Sequence, residues 1–172
     1  MLFMAIIQLN NGGCALVDAT DFRRLSRWKW TRDGYGYALR FYGPRHNQKQ
    51  IRMHRAILDA PDGIQVDHIN GDPLDNRRGN LRLCNNSQNQ MNKKIRKDSK
   101  TGLKGVTLHK SSGLYMARLK KDKKLMHCSY HKTPEEASRT YNLVALKYHG
   151  KFAKLSERYE EVIHGKSDKK AQ

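Results

Sequence analysis

The chain has 172 residues, enough for one ordinary domain or two small ones. If it forms two domains, each is too small to have a large hydrophobic core. Hydrophobic residues make up 37% of it and include two tryptophans and eight tyrosines, a composition that argues against a disordered chain. Lysine and arginine number 34 against 16 acidic residues, and a net charge of +18 most often indicates a polyanionic partner such as nucleic acid.

The positive charge is concentrated in one part of the sequence. Residues 1–92 carry 13 basic and 8 acidic residues, residues 93–127 carry 12 and 2, and residues 128–172 carry 9 and 6. A solubilising surface usually mixes the two signs, so we favour contact with a DNA backbone over a solvated face for residues 93–127. The run lacks a sustained apolar helical face, which disfavours a membrane surface as the partner.

Cysteine usage and the start of the chain indicate the compartment. Cys14, Cys84 and Cys128 lie far apart without a CxxC pair, so we expect no structural zinc site or disulfide framework and a reducing environment. The first ten residues are apolar but have no basic n-region or cleavage site, and they are too short to span a bilayer. We therefore expect an intracellular, cytoplasmic protein.

The first 60 residues predict strands separated by short helices. Apolar runs at 2–9 and 14–18 flank an Asn-Asn-Gly-Gly turn and predict a hairpin. Residues 21–30 predict a short helix or turn in which Trp28 and Trp30 belong to the core, with base stacking as the alternative for a tryptophan among arginines. Alternating residues at 35–41 and 49–53 predict a second antiparallel pair, and Arg45 in the loop between them is a candidate DNA contact.

The most informative stretch is residues 66–92, VDHINGDPLDNRRGNLRLCNNSQNQMN. An apolar run predicts a strand whose end delivers Asp67 and His68 into a cleft. A turn-dense loop follows, and the segment from residue 87 predicts a helix that carries Asn89. Carboxylate and amide oxygens are ligands for a hard cation such as Mg²⁺, and a neutral imidazole can take a proton from water. The chemistry that fits is metal-assisted phosphodiester cleavage.

The order His68, Asn80, Asn89, with Asp67 directly before the first and Leu81 directly after the second, resembles the HNH endonucleases of phages and mobile introns. The resemblance implies a ββα-metal fold, in which a strand pair and a helix grip one metal ion. It implies Asp67 and Asn89 as metal ligands and His68 as the general base. Asn80 would tie the loop and orient His68. An asparagine in place of the third histidine suits Mg²⁺ or Mn²⁺ better than zinc.

Residues on either side of the motif have supporting roles in this hypothesis. A short helix is predicted from His54, and in the HNH family a His-Arg pair, here His54 and Arg55, commonly precedes the motif. We expect His54 to form a hydrogen bond to the motif loop, with phosphate contact as the alternative. Asn92, one helical turn beyond Asn89, is the third supporting residue. A phage-encoded protein of this kind would act in a bacterial host cell.

The part beyond Asn92 predicts a separate unit. A basic stretch punctuated by serine and glycine marks a linker, so we place domains at 1–97 and 98–155 and a charged tail at 156–172. Three short runs at 106–109, 114–120 and 125–130 predict strands, and Thr-Pro-Glu-Glu from Thr133 begins a helix that stops at Gly150. The fold class is therefore α+β, with a β-rich HNH domain followed by a small three-stranded antiparallel sheet and one packed helix.

The second unit contains four short motifs in this order: Lys-Gly-Val from Lys104, Tyr-Met-Ala-Arg-Leu from Tyr115, the helix start at Thr133 and Ala-Leu-Lys-Tyr-His-Gly ending at Gly150. They resemble the plant APETALA2/ethylene-response-factor (AP2/ERF) DNA-binding domain. That resemblance implies a sheet lying in the major groove, with Leu108 and Tyr115 where the family's tryptophan contacts stand. Together with the loop and linker, the candidate DNA-binding residues are Arg45, Lys93, Lys94, Lys104, His109, Lys110, Arg118, Lys120 and Lys124.

These expectations combine into one functional hypothesis. The chain is expected to be a homing-type HNH endonuclease that hydrolyses phosphodiester bonds of double-stranded DNA at a preferred site with Mg²⁺ or Mn²⁺, with no small-molecule substrate and no membrane partner. The alternative is a catalytically silent, sequence-specific DNA-binding regulator that keeps the shape of a nuclease. Relaxation of plasmid DNA in Mg²⁺ distinguishes the two.

Overall fold

The computed structural model of the protein describes residues 4–95 and 98–156. The chain divides into two compact units, Met1–Asn89 and Gln90–Gln172. Both are built from small antiparallel sheets with few helices. Among the described residues, no helix has the length and apolar character needed to cross a bilayer. The expected charged tail after Ser156 lies outside the described residues.

The N-terminal unit begins with the predicted hairpin. Strands β1 (Met4–Gln8) and β2 (Cys14–Asp18) pair antiparallel, and the turn between them uses Gly12 and Gly13 at φ of +93° and +82°. These angles are strained for any residue with a Cβ, which explains the glycine pair. The inward side chains of the hairpin contribute to a core that also holds Leu25, Trp30, Met53 and Ile57, each at most 2% exposed.

Helix α1 (Ala19–Leu25) follows the hairpin and is shorter than the stretch predicted. The prediction that Trp30 is core is confirmed, because it is fully buried and its Nε1 donates to the carbonyl of Leu25 at 2.9 Å. The same prediction for Trp28 is wrong, since 51% of that residue is exposed. Trp28 follows the end of α1, and the guanidinium of Arg40 covers its ring in place of core side chains.

The second sheet has the strand order β3-β4-β5, formed by β3 (Thr31–Arg32), β4 (Ala38–Tyr42) and β5 (Lys49–Arg52). The predicted strand at residues 35–41 begins three residues later than expected. The reason is local: the carboxylate Oδ1 of Asp33 accepts from the backbone N of Tyr35 and of Tyr37, which holds residues 33–37 in a turn.

The segment that leads into the motif is held by Arg55. Helix α2 (Met53–Leu58) is capped by Asp59, and the guanidinium of Arg55 donates to the carbonyls of Ala60, Pro61 and Ile64 at 2.9, 2.9 and 2.6 Å. Three carbonyls of one loop are thereby satisfied by one side chain. Arg55 fixes the point at which the chain enters the next strand.

The motif itself is an antiparallel pair followed by a short helix: β6 (Gln65–His68), β7 (Leu81–Cys84) and α3 (Asn86–Met91). The long loop between the strands is anchored to the hairpin, because the backbone N of Leu16 donates to Leu74 and the backbone N of Asn76 donates to Leu16, both at 2.8 Å. A 3-10 turn (Arg78–Asn80) closes the loop. There Arg78 forms a two-pronged ion pair with Asp21 of α1 at 2.7 and 2.9 Å.

The C-terminal unit has the predicted three strands and one helix. Strands β8 (Val106–His109), β9 (Leu114–Lys121) and β10 (Lys124–His131) form an antiparallel sheet of order β10-β9-β8. Helix α4 (Pro134–His149) begins with a reciprocal capping box between Thr133 and Glu136. Its inward stripe of Ala137, Tyr141 and Ala145 packs with Val106, Ala117 and Leu119 to form the core of this unit.

Candidate active site

The end of β6 brings the Asp-His pair to the motif loop. Successive side chains of a strand point to opposite faces, so Gln65 and Asp67 share one face of β6 and Val66 and His68 the other. Asp67 and His68 are only 6% and 5% exposed. Asp67 and His68 are adjacent in the sequence, but their side chains lie on opposite faces of β6 and therefore have different neighbours.

His68 lies in an aromatic and amide pocket. Its ring centroid is 5.0 Å from that of His54 at a near-perpendicular angle and 5.8 Å from that of Tyr37. Its Nε2 is 3.4 Å from Oδ1 of Asn76, a residue that is 1% exposed. Burial holds the pKa of His68 below its ordinary value, although Asn76 and the carboxylates of Asp67, Asp72 and Asp75 oppose the shift. The imidazole is therefore neutral at physiological pH and able to accept a proton.

His54 is a second neutral imidazole beside it. Burial, the neighbouring His68 and the arginines Arg52 and Arg55 lower the pKa of His54 to about 3. The expected hydrogen bond from His54 to the motif loop is not seen at Nδ1, which is buried without a partner. What the structure shows instead is ring packing, since His54 also contacts Tyr37 at a centroid distance of 5.2 Å.

Asn80 ties the ends of the motif loop together. Its Nδ2 donates to the carbonyl of Asp75 at 2.8 Å and to Oδ1 of Asn70 at 3.0 Å, while its Oδ1 accepts from the backbone N of Asn70 at 3.0 Å. Asp75 is held in turn by Arg77, whose Nε and Nη2 each donate to one carboxylate oxygen at 2.7 Å and lower the pKa of Asp75. The side chain that reaches His68 from this loop is Asn76. In the sequence Asn76 is only one of several residues of the turn-dense loop, and no local pattern indicates that it is buried.

The two predicted metal ligands belong to the other face of the pair. The carboxylate Oδ2 of Asp67 accepts from Nε and Nη2 of Arg82, its register partner on β7, at 2.8 and 2.6 Å. The Nδ2 of Asn89 donates to Oε1 of Gln65 at 2.7 Å. Gln65 shares a face of β6 with Asp67, so this bond brings α3 to the side of the strand where the carboxylate lies.

The donor chemistry of these residues fits a hard divalent cation. Asp67 offers a carboxylate, and Asn89, whose amide nitrogen is directed at Gln65, offers a carbonyl oxygen, while water and phosphate oxygens commonly complete such a site. Within the described residues there is no group of three or more His, Cys, Asp and Glu side chains placed to hold a metal. A cation at Asp67 would share that carboxylate with Arg82.

The candidate DNA-binding residues are mostly exposed. Arg45 lies in a 3-10 turn (Arg45–Asn47), and exposed positions are also occupied by Lys93, Lys94, Lys110, Arg118, Lys120 and Lys124. Lys104 differs from them, because its Nζ donates to the carbonyls of Met91 and Lys93 at 2.6 and 2.7 Å. The ammonium group of Lys104 therefore binds backbone carbonyls of its own unit. Asn92, the supporting residue beyond α3, is buried at 7% exposure.

Strand register sorts the residues of the C-terminal sheet into two faces. Tyr115 packs against the core cluster, and its register partner Leu108 lies on the same face of the sheet but is 48% exposed. Arg118 pairs with Cys128 on the opposite face. That open face also carries Tyr130, 50% exposed, whose ring lies 5.3 Å from that of His109. Tyr130 was not singled out from the sequence, although an exposed aromatic among basic residues is the usual signal.

Comparisons with known proteins agree with the motif. Residues 59–91 match the model of the HNH endonuclease family. The chain is 27% identical over 159 residues to a protein of Acanthamoeba polyphaga mimivirus described as an uncharacterized HNH endonuclease, covering 89% of this chain and 80% of the viral protein. It is 35% identical over 72 residues to Protein 3.8 of Escherichia phage T7, which is 39% of this chain and 60% of that protein. No solved structure matches significantly.

Residues 59–91 are therefore similar to the HNH endonuclease family, and the chain is similar along most of its length to a viral protein described as an uncharacterized HNH endonuclease. The matched segment includes β6, the loop tied by Asn80, β7 and all of α3. Nucleases of the HNH family generally depend on a divalent metal.

Proposed function

We propose that the protein is a divalent-metal-dependent endonuclease that hydrolyses phosphodiester bonds of double-stranded DNA. The observation that carries the proposal is the neutral, buried His68 at the end of β6, beside Asp67 and inside the segment that matches the HNH family. A group of this kind has the protonation state that general-base catalysis requires at neutral pH.

In the proposed mechanism His68 takes the proton from the attacking water. The packed rings of His54 and Tyr37 and the amide of Asn76 hold its imidazole in place. Asp67 and Asn89 would hold Mg²⁺ or Mn²⁺, which would stabilise the charge that develops on the phosphate. Asn80 would keep the loop closed, so that Asn76 stays against His68.

The C-terminal unit supplies DNA affinity in this proposal. Its open sheet face carries Arg118 and Tyr130, and the basic segment that begins at Lys93 adds exposed lysines. The similarity to AP2/ERF domains supports binding of duplex DNA by the sheet, and a homing-type preference for one site belongs to the same hypothesis. Contacts to phosphates set affinity, whereas contacts to base edges set the preferred sequence.

A catalytically silent DNA-binding regulator is the second candidate. The ion pair between Asp67 and Arg82 favours it, because an arginine already compensates the carboxylate that a cation would need. In this reading the protein would bind DNA and leave its backbone intact.

Supercoiled plasmid incubated with the full chain in Mg²⁺, in Mn²⁺ and in EDTA separates the two candidates. We expect relaxed or linear DNA with either metal and none in EDTA, and a loss of roughly 10²–10⁴-fold in rate for His68→Ala. DNA affinity of that variant should stay near wild type, and added imidazole should restore part of the rate. A wild-type protein that shifts the plasmid but never cuts it would establish the regulator instead.

A further inference from the structure

An exposed aromatic cluster of the N-terminal unit has no part in the proposed chemistry. The Cζ of Arg40 lies 4.2 Å from the ring centroid of Trp28 and 5.5 Å from that of Tyr42. Trp28 is 51% and Tyr42 43% exposed, in contrast to the fully buried Trp30. The ring of Trp28 therefore rests on a guanidinium, and about half of the residue remains exposed to another partner.

The end of α1 holds Trp28 in this position. The carbonyl of Leu25 accepts from the backbone N of Trp28 at 3.2 Å and from Nε1 of the buried Trp30 at 2.9 Å. One carbonyl thus links the exposed tryptophan to a core side chain. A large ring that is already positioned loses little conformational freedom when a ligand binds, which favours recognition at this place.

Arg40 is poorly arranged to grip a phosphate. Its Nε and Nη1 are buried and have no hydrogen-bond partner, so the guanidinium cannot present the two-pronged fork that binds phosphate oxygens. Its contribution is to support the aromatic faces above it. The feature left for a ligand is the flat π surface of Trp28, and the flat part of a nucleic acid is its base.

The surrounding charge selects the class of ligand. Residues 22–58 contain ten lysines and arginines and a single acidic residue, Asp33, whose carboxylate is bound by Arg52 at 3.2 Å. Trp28 itself stands between the exposed Arg27 and Lys29. Although Arg24 of this segment is paired with Asp21, a segment with this excess of positive charge repels cationic ligands that would otherwise bind an aromatic face, and it attracts a polyanion.

We propose that Trp28, backed by Arg40, is a stacking platform for an unpaired nucleobase of DNA. In a paired duplex both faces of a base are covered by its neighbours, so a free base face exists only in a single strand, a bulge or a locally opened duplex. The protein therefore binds DNA with an unstacked base more tightly than fully paired DNA. This inference rests on DNA being the partner, as in the proposed function, and it is independent of whether the protein cuts.

Binding of three matched probes in EDTA tests the platform without cleavage. The probes are a paired duplex, the same duplex with one bulged base, and the corresponding single strand, and the proteins are full-chain wild type and the variants Trp28→Ala, Trp28→Leu and Trp28→Phe. Phe41→Ala is the matched control, because Phe41 is also exposed but points to the other face of β4 from Arg40 and Tyr42.

Wild type should bind the bulged and single-stranded probes more tightly than the paired duplex, with quenching of tryptophan fluorescence. Trp28→Ala and Trp28→Leu should weaken binding of these two probes by about 5- to 150-fold, the usual effect of one lost base stack, and change duplex binding little. Trp28→Phe should retain most of the preference, as should Phe41→Ala. Emission from the buried Trp30 reports whether each variant is folded.

Equal weakening of all three probes, no weakening, or the same loss in Phe41→Ala would overturn the platform. The plasmid assay separates this result from that of the proposed function. A protein that never cuts but loses its bulge preference with Trp28→Ala has the platform without the nuclease. A protein that cuts but shows no such preference is a nuclease without the platform.

Discussion

At the scale of single residues, the site depends on imidazoles that burial keeps neutral. His68 meets Oδ1 of Asn76 at 3.4 Å, and that amide is one of the groups that raise the pKa of His68 against the effect of burial. A carboxylate at the same position would favour the imidazolium much more strongly than an amide does. The charge of the side chain at position 76 therefore directly affects the pKa of the proposed general base, His68.

Asn76→Asp should raise the pKa of His68 and move the acidic limb of the pH–rate profile to higher pH. Wild-type cleavage should stay level from neutral pH downward and decline only below the depressed pKa of His68, because the base is active while it is neutral. The profile of cleavage rate at saturating metal measures the shift. Asn85→Asp is the control, since Asn85 is exposed and its side-chain oxygen caps Gln88 in either form. A profile of Asn76→Asp that overlays wild type would contradict the assignment of His68.

His54 links stability to pH. Its pKa is about 3 in the folded chain and near 6.5 when unfolded, so the unfolded chain binds the extra proton between these values. Stability from this group is complete above about pH 6.5 and is lost as the pH falls toward about 3. His54→Phe, which keeps a ring against Tyr37, should flatten the decline in the free energy of unfolding over this range. Urea unfolding at several pH values measures it, and an unchanged slope would count against the assignment.

At the scale of elements, the pairing of β6 with β7 sets the state of the metal-ligand candidate. Asp67 and Arg82 face each other in register and their side chains are 6% and 12% exposed, so the pair is nearly dry. Removing one partner of a buried pair leaves an uncompensated charge and typically costs about 3–5 kcal/mol. Because the pairing of β6 with β7 places Arg82 against Asp67, a cation that binds Asp67 must compete with the guanidinium of Arg82.

Arg82→Met should destabilise the protein by about 3 kcal/mol, and Mg²⁺ should restore part of the loss, because the carboxylate of Asp67 loses the charge of Arg82 and can gain that of a cation. Thermal unfolding with and without Mg²⁺ measures both effects without any cleavage. Arg77→Met is the matched control, since it removes a two-pronged partner from Asp75, outside the predicted cation site. Equal responses to Mg²⁺ in both variants would argue against a cation at Asp67.

At the scale of the whole molecule, the basic residues are expected to differ in what they contact on DNA. Some would bind phosphates and set the affinity, and others would contact base edges and set the preferred sequence. Arg118 and Lys124 are both exposed on the C-terminal unit, Arg118 on the open sheet face and Lys124 at the start of β10, beside the turn from β9. A side chain on a face that reads base edges affects one sequence more than others, whereas a side chain that touches only phosphate affects all sequences alike.

Arg118→Ala should weaken binding of a preferred duplex by about 1–3 kcal/mol and of a scrambled duplex less. Lys124→Ala should weaken both alike and reduce the log–log salt slope by about 0.9. Titrations of the full chain against both duplexes at several salt concentrations give these numbers. If Arg118→Ala and Lys124→Ala behaved identically, sequence reading by the sheet would be excluded.

Local signals in the sequence were enough to predict several secondary-structure elements and to find the residues of the motif in their order along the chain. The Asn-Asn-Gly-Gly hairpin, the capped start of α4 at Thr133 and the strand that ends at His68 all appear where contiguous residues predict them. Such features depend on turn chemistry, capping and hydrophobic period, which act over a few residues. The HNH motif belongs to this class, because its residues follow one another along 27 positions, 66–92.

Tertiary structure alone decided which groups meet. Asn76 rather than Asn80 lies against His68, Arg82 compensates Asp67, Lys104 turns to backbone carbonyls, and Trp28 is exposed while Trp30 is buried. Each of these depends on strand register or on packing between segments distant in sequence, and a register shift of one residue between β6 and β7 would already separate Asp67 from Arg82. The sequence determined which chemical groups the protein has, and the fold determined their partners, because partners and burial are set by contacts that no local pattern encodes.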